Sequence, residues 1–381
     1  MNIKGLPNHV SMGKRGLKSA AVLGAVAVGC AAIAAQAMPG ISGSIEASYN
    51  RNLNSPDSMA MNGLHSYDAQ ANTFTLNNAH LVFSGSDSAT GLGYDIETDF
   101  GSDAKANKSL DYSLGGPDVI DLQEAYITWG FGPGHAWGLK AGKYATYEGI
   151  EVIEGGSNPT ITRGLLYGLA EPVTHTGLEL SYATGPVDVH LGAINGWDQL
   201  MDVNNMPSYL AKVGVNVSKL ALTVSGIIGP EKKNNNDDMR MSFDATALVK
   251  AIPMVDLNLQ ANYGMEDKAG MGGEDATWLG FGVQPVIHIN NWFGLGLRYE
   301  FFDDDKVSRS GAAAAAAVAL AGKTDLSLQN ISVAPTVWLT KTAMVRAEYR
   351  LDMASEKVFV DSDNKATDMQ NEVSADFVLS F

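Results

Sequence analysis

From Gly40 to Phe381 the chain alternates apolar and polar residues with a period of two, in blocks separated by turn-forming stretches. Such a period puts successive side chains on opposite faces of a strand, and about ten residues is the length a tilted strand needs to cross a bilayer. Sixteen blocks of this kind run from 40–49 to 372–381. The segments between them alternate in length. Residues 50–72, 101–118 and 145–174 are long connections, whereas 86–91, 130–135 and 184–186 are short, and the order persists to the end of the chain. Strict short–long alternation is what a closed barrel with short periplasmic turns and long external loops shows. The predicted fold is therefore all-β, a transmembrane antiparallel barrel of about 16 strands.

Two blocks show what the faces are for. In 343–353 one face carries Arg346, Glu348, Arg350 and Asp352, and the other Val345, Ala347, Tyr349 and Leu351. Four charges in a dry core would cost several kcal/mol each unless fully paired, so this face is expected to line a wet lumen. In the last block Val373, Ala375, Phe377, Leu379 and Phe381 oppose Glu372, Ser374, Asp376 and Ser380, with Val378 the one apolar residue on the polar side. Aromatic residues gather near block ends, as at Trp129, Trp137, Tyr182 and Phe293, which suits girdles at two membrane interfaces.

The first 37 residues follow another pattern. Lys4, Lys14, Arg15 and Lys18 precede a small, apolar stretch at 19–34, and Ala35-Gln36-Ala37 matches the small-x-small site of a signal peptidase. Residues 1–37 are expected to be a removed signal peptide, with 38–381 a single barrel domain. The only cysteine, Cys30, leaves with the leader, which fits passage through an oxidising compartment. The remainder holds 22 basic against 42 acidic residues, a formal charge of −20 that repels nucleic acid. No later run is long and apolar enough for a spanning helix, so strands alone are left to cross a bilayer.

Phe377, Leu379 and Phe381 form a terminal aromatic strand that resembles the assembly signal of outer-membrane proteins. Leu139-Lys140-Ala141-Gly142-Lys143-Tyr144, Gly149-Ile150-Glu151-Val152-Ile153, Arg163-Gly164-Leu165-Leu166-Tyr167-Gly168 and Pro172-Val173-Thr174-His175 resemble the central segment of the OmpL-like outer-membrane β-barrel porins. The resemblance implies a channel in the outer membrane but no particular substrate; the expected function of such a wet barrel is passive diffusion of small hydrophilic solutes and ions. Its implied partners are outer-membrane lipid, lipopolysaccharide and the barrel-assembly machinery. Trimer and monomer stay open.

In general diffusion porins the third external loop folds inward, and the resemblance extends that expectation to 145–174. Glu148, Glu151 and Glu154 supply an acidic edge and Arg163 an opposing base, with Gly155, Gly156, Gly164 and Gly168 permitting tight turns. Facing charges across a narrow wet gap sort solutes by charge. Regular alternation turns Lys140, Lys212, Arg240, Arg298, Arg346 and Arg350 inward with Asp95, Glu97, Asp99, Glu179, Glu300, Glu348 and Asp352, and the acidic excess favours cations weakly.

Catalysis has little to stand on. There is no Gly-x-Ser-x-Gly, no His-Glu-x-x-His, and no cysteine outside the leader. No catalytic residue, cofactor or metal is expected. The clusters Asp303-Asp304-Asp305 and Gly272-Gly273-Glu274-Asp275 lack the spacing of a calcium loop and read as solvated charge. The Ala-rich run at 312–321 reads as low-complexity loop, since isolated helices of that length are marginal. The alternatives to an open pore are a substrate-selective channel and a plugged surface receptor or adhesin.

Overall fold

A computed structural model gives the conformation of residues 40–55, 61–107 and 120–381. The expected leader 1–37 and its cleavage site lie outside the described residues. The barrel strands are β1 (Gly40–Asn52), β2 (Thr73–Asp87), β3 (Leu92–Phe100), β4 (Ile120–Phe131), β5 (Trp137–Ala145), β6 (Thr174–Thr184), β7 (Val187–Ile194) and β8 (Ser208–Val217). They continue with β9 (Leu220–Pro230), β10 (Met239–Ile252), β11 (Val255–Glu266), β12 (Ala276–His288), β13 (Phe293–Asp305), β14 (Asp325–Trp338) and β15 (Ala343–Ala354). A small separate hairpin, β16 (Phe359–Val360) and β17 (Ala366–Thr367), precedes the last barrel strand, β18 (Met369–Ser380). Each barrel strand pairs antiparallel with its neighbour, and β1 pairs with β18 to close a 16-stranded barrel. Closure leaves no open edge, so each barrel strand has a hydrogen-bonded neighbour on both sides.

The period-two reading places the faces correctly. Val373, Phe377 and Leu379 are exposed on the outside of β18, while Glu372, Ser374, Asp376 and Val378 are buried within. An outward apolar band includes Ile127, Leu178, Leu191, Phe243 and Phe281. At the short-turn end the rings of Trp129, Phe131, Trp137 and Tyr182 follow one another at 4.9, 6.4 and 4.7 Å, a continuous stretch of aromatic girdle.

Among the described residues the register shifts at three places, one of them at Val249/Ile252 beside the β10–β11 turn. Between β1 and β2 the register shifts at Glu46/Ala47, and between β3 and β4 it shifts at Glu97/Thr98. The shift between β3 and β4 makes Gln123 the extra residue, and Gln123 and Glu124 are both buried inside the barrel.

The short helices α1 (Asp103–Ala106), α2 (Leu165–Leu169) and α3 (Gly311–Leu320) all belong to long connections. The Ala-rich run is thus helical, against the loop reading of its sequence. Ala314 and Val318 of α3 pack on Leu165, Leu166, Leu169, Trp197, Trp278, Phe302, Leu326 and Leu328, and this tertiary contact supplies what an isolated helix lacks.

Candidate functional site

The connection from β5 to β6 enters the barrel rather than covering its mouth. Thr146 N–H donates to Val173 O at 3.0 Å, closing the neck of the loop. Tyr147 follows, its hydroxyl donating to Glu179 Oε1 at 2.8 Å on β6. Lys140 Nζ reaches the same hydroxyl at 3.1 Å and lies 4.8 Å from the Tyr144 ring. Glu148 Oε1 accepts a hydrogen bond from Ser242 of β10 at 2.7 Å, and Gly149 N–H donates to Asp244 Oδ1 at 3.1 Å. Gly149 has φ +90, and a Cβ there would collide with the Glu171 carboxylate, so only glycine fits. Burial and then the negative charge of Asp244 push the Glu148 carboxyl up to about 8.

The middle of the loop is attached to the opposite wall. Glu151 accepts from Gly164 N–H at 2.6 Å and from Gln284 at 2.7 Å, and pairs with Arg298 at 2.8 Å. Arg298 also donates to Thr160 Oγ1 at 2.8 Å and Thr162 O at 2.5 Å. Arg346 holds Asp376 through its Nε and Nη2 and donates from Nη1 to Gly155 O, Asn158 O and Thr160 O at 3.0, 2.8 and 3.1 Å. Arg350 donates to Arg163 O at 2.6 Å. The carboxylates meet the loop's N–H groups: Glu348 accepts from Ile161 and Thr162 at 2.7 and 2.8 Å, and Glu300 from Leu165 at 2.6 Å. These bonds run from charged side chains to backbone groups, the stronger kind.

Packing completes the attachment. Gly155 lies against the Glu46 carboxylate and Gly156 against Val378, so a Cβ at either would force its neighbour to shift. Val378, the apolar residue on the polar face of β18, is the seat of the loop. Leu166 lies over Gly280 and Gly282 of β12, and Pro159 over Gly296 of β13. The Trp278 indole donates to Ala170 O at 3.1 Å. Gly280, Gly282, Gly296 and Trp278 were not singled out from the sequence. They stand on strands remote from the loop in the chain, and the only legible trace was the break in polar alternation at Val378.

The charged residues named from the sequence are therefore brought together, but not as rows facing each other across water. The side chains of Arg298, Arg346 and Arg350 are 0–1% exposed. Arg163 donates to Ile153 O and to Ile161 O, sits 3.7 Å from Asp103 and lies over the Tyr67 ring, instead of opposing Glu148 and Glu151. The expectation that Arg346, Glu348, Arg350 and Asp352 face open water is corrected: ion pairs and hydrogen bonds with the loop and with one another replace hydration, although Arg350 Nη2 is left without a hydrogen bond among the described residues. On the other side, Asp95, Glu97, Tyr126 and Lys140 of β3–β5 and Glu154 at the loop tip are only half-buried. The clusters at 303–305 and 272–275 are engaged locally, with Asp304 accepting from Ser308, Arg309 and Ser310 N–H and Glu274 3.3 Å from Lys306.

A closed 16-stranded barrel with an apolar outer band and a long third loop docked in its lumen defines an outer-membrane porin. Residues 40–381 match the family described as "Putative beta-barrel porin-2, OmpL-like", and the chain belongs to that family of passive outer-membrane channels. No curated protein sequence matches it. Among solved structures, the outer membrane channel DcaP of Acinetobacter baumannii is similar at TM-score 0.61 and 14% identity, over 92% of this chain and 100% of that one. The anion-selective porin of Comamonas acidovorans gives 0.60 and 10%, over 90% and 99%. The trimer form of Vibrio cholerae OmpT gives 0.58 and 11%, over 90% and 99%. At these identities the likeness is one of fold.

Proposed function

We propose that small hydrophilic solutes and ions pass between the docked loop and the wall of β2 to β7, with a weak preference for cations. The observation that carries this reading is the uneven attachment of the loop, whose backbone is bonded to charged side chains of β10, β13 and β15 while its side chains Tyr147 and Glu154 make its bonds to β6 and β4. Its bonds to Arg298, Glu300, Arg346 and Glu348 fill one side of the lumen, and the half-buried Asp95, Glu97, Lys140 and Glu154 border the space on the other. Loop 145–174 is in this reading the constriction, and Glu154 and Lys140 its nearest charges. Arg298, Arg346, Arg350, Glu300 and Glu348 hold the loop in place rather than meeting solute. The long loops face outward from the cell and the short turns the periplasm, residues 1–37 are cleaved on export, and Phe377, Leu379 and Phe381 are read by the assembly machinery. The outward band meets lipid and lipopolysaccharide, and a trimer is supported by the OmpT trimer form alone.

Single-channel recording of the refolded barrel in a planar bilayer, with a salt gradient, tests the reading. Ohmic steps below the roughly nanosiemens scale of a wide lumen, with a reversal potential of cationic sign, are expected. A folded, inserted barrel that gives no steps would reject passage and favour the plugged receptor.

A further inference from the structure

Where the loop tip approaches β2 and β3, three side chains converge that nothing above uses together. His80 of β2, Glu97 of β3 and Glu154 of the loop each bring one ligand atom within 4.8 Å of the others. We propose that His80, Glu97 and Glu154 bind a divalent first-row transition-metal cation such as Zn²⁺, and that filling the site pins the loop tip to the β2–β3 wall. The inference rests on the loop being the constriction.

Each ligand already has a group that orients it. His80 Nδ1 is 2.8 Å from Asp99 Oδ1, which is itself held by Asn78 at 2.8 Å and Asn107 at 2.6 Å. A carboxylate on Nδ1 favours the proton there, and in the neutral ring this puts the Nε2 lone pair toward Glu97, the arrangement of a metal-ligating imidazole. His80 is 6% exposed, and its Nε2 points at Glu97 Oε2, 3.5 Å away. Bonds of ~2.1 Å in a tetrahedral zinc site separate neighbouring ligand atoms by about 3.4 Å. With Nε2 unprotonated, two acceptors face each other at a spacing that a metal ion would bridge in place of a proton.

Gln123 orients the two carboxylates. Its Nε2 donates to Glu97 Oε2 at 3.1 Å and Glu154 Oε1 at 2.6 Å. It does so because the β3–β4 bulge turns it into the lumen, where strict alternation would face it to lipid. Gln123 Oε1 and the neighbouring Asp95 Oδ1 are buried with no hydrogen-bond partner among the described residues, so the cluster is short of positive groups. One imidazole and two carboxylates suit zinc and its neighbours rather than Mg²⁺ or Ca²⁺. The cluster of His65, Asp68 and Glu372 is a contrasting case. There Nδ1 is 2.5 Å from Asp68 and Nε2 3.0 Å from Asp352, so both ring nitrogens are engaged.

Titration calorimetry of the full barrel in detergent with ZnCl₂, paired with bilayer recording with and without ZnCl₂, tests the proposal. Calorimetry should show one zinc per chain, with affinity falling at least tenfold in His80→Gln and, independently, in Glu154→Gln, whose position on the loop spares the barrel wall. In the bilayer, zinc should shrink or interrupt the wild-type steps and leave His80→Gln steps unchanged. Equal zinc affinity in wild type and both variants would overturn the site. Zinc bound without effect on the current would overturn the pinning. A wild type that never conducts would reject the passage reading, while calorimetry would still decide the metal site.

Discussion

The two sides of the lumen use the same residue types and arrive at opposite states. On β13, β15 and β18, arginines and carboxylates are paired, hydrogen-bonded to loop backbone and shielded from water. On β3 to β5, Asp95, Glu97 and Lys140 stay partly hydrated, with the Glu97 side chain 16% exposed. What differs is the loop: a backbone with free N–H and C=O groups reaches one wall and not the other. Charge in a barrel lumen is therefore not by itself a mark of the aqueous path. A row of charges can equally be the dock for an inserted segment, and the inward glycine and apolar residues beside it distinguish the two.

The largest effect should follow from removing the arginine that holds three loop carbonyls. Arg346→Ala strands Asp376 and Glu46 and leaves three loop carbonyls without their donor. Breaking one partner of a buried ionic network costs about 3–5 kcal/mol. The loop should come away from β15 and β18. Channel steps should grow severalfold, and amides at 153–164 should exchange far faster with solvent. Arg346→Lys keeps the charge but not the fork of donors, and should fall between. Unchanged steps and unchanged exchange would mean that the loop is not held from this wall.

On the hydrated wall the same kind of change should alter selectivity instead. Asp95→Asn, recorded with a chelator present, removes a carboxylate on that wall that no arginine faces. The reversal potential in a salt gradient should move toward zero by roughly half, with step size little altered, because fixed charge near a narrow path sets ion preference. A large change in step size with no change in potential would place Asp95 on the docking side of the comparison.

Acidity should act through the loop's first turn. Glu148, whose carboxyl titrates at about 8, is neutral at pH 7 and is held above its unfolded value by burial and by Asp244. A carboxyl raised on docking contributes stability that is complete below its unfolded pKa and lost as pH rises through the docked value. Docking should therefore be tightest below about pH 4.5 and loosen progressively from there to about pH 8, with steps growing and loop amides exchanging faster as the pH rises. Glu148→Gln should abolish that dependence, which recordings at pH 6 and 9 would check.

Much of this was legible in the sequence, for physical reasons that also set the limit. Period-two alternation and alternating connection length are local properties imposed by lipid outside and water or polar groups inside, so the sixteen strands, their faces and the long third loop could be read directly. The dock could not. Arg346 and Gly155, or Glu300 and Leu165, meet only because the barrel closes, and no local pattern links positions so far apart. Bulges are equally silent, since one extra residue at Gln123 reverses a face without altering composition. The Ala-rich run failed for the same reason, its helix depending on Trp278, Phe302 and Leu326 of other strands.

The finest test lies within β18, where one strand contributes to both environments. Val378 supports Gly156 of the loop inside the lumen, and Val373, five residues earlier, is exposed on the outer face. Val378→Ala removes the seat without disturbing any charge and leaves a small void, costing about 1 kcal/mol. That is close to a fivefold increase in the fraction of time the tip is undocked. Val373→Ala exposes no void that lipid cannot fill and should leave the loop as it was. Exchange rates at 155 and 156 should rise about fivefold in the first variant and stay put in the second. Equal rates in both would show that the arginines hold the tip unaided and that the break in alternation at Val378 is incidental. A difference would make that break, the one irregularity visible in the last strand, a mark of where the lumen is occupied.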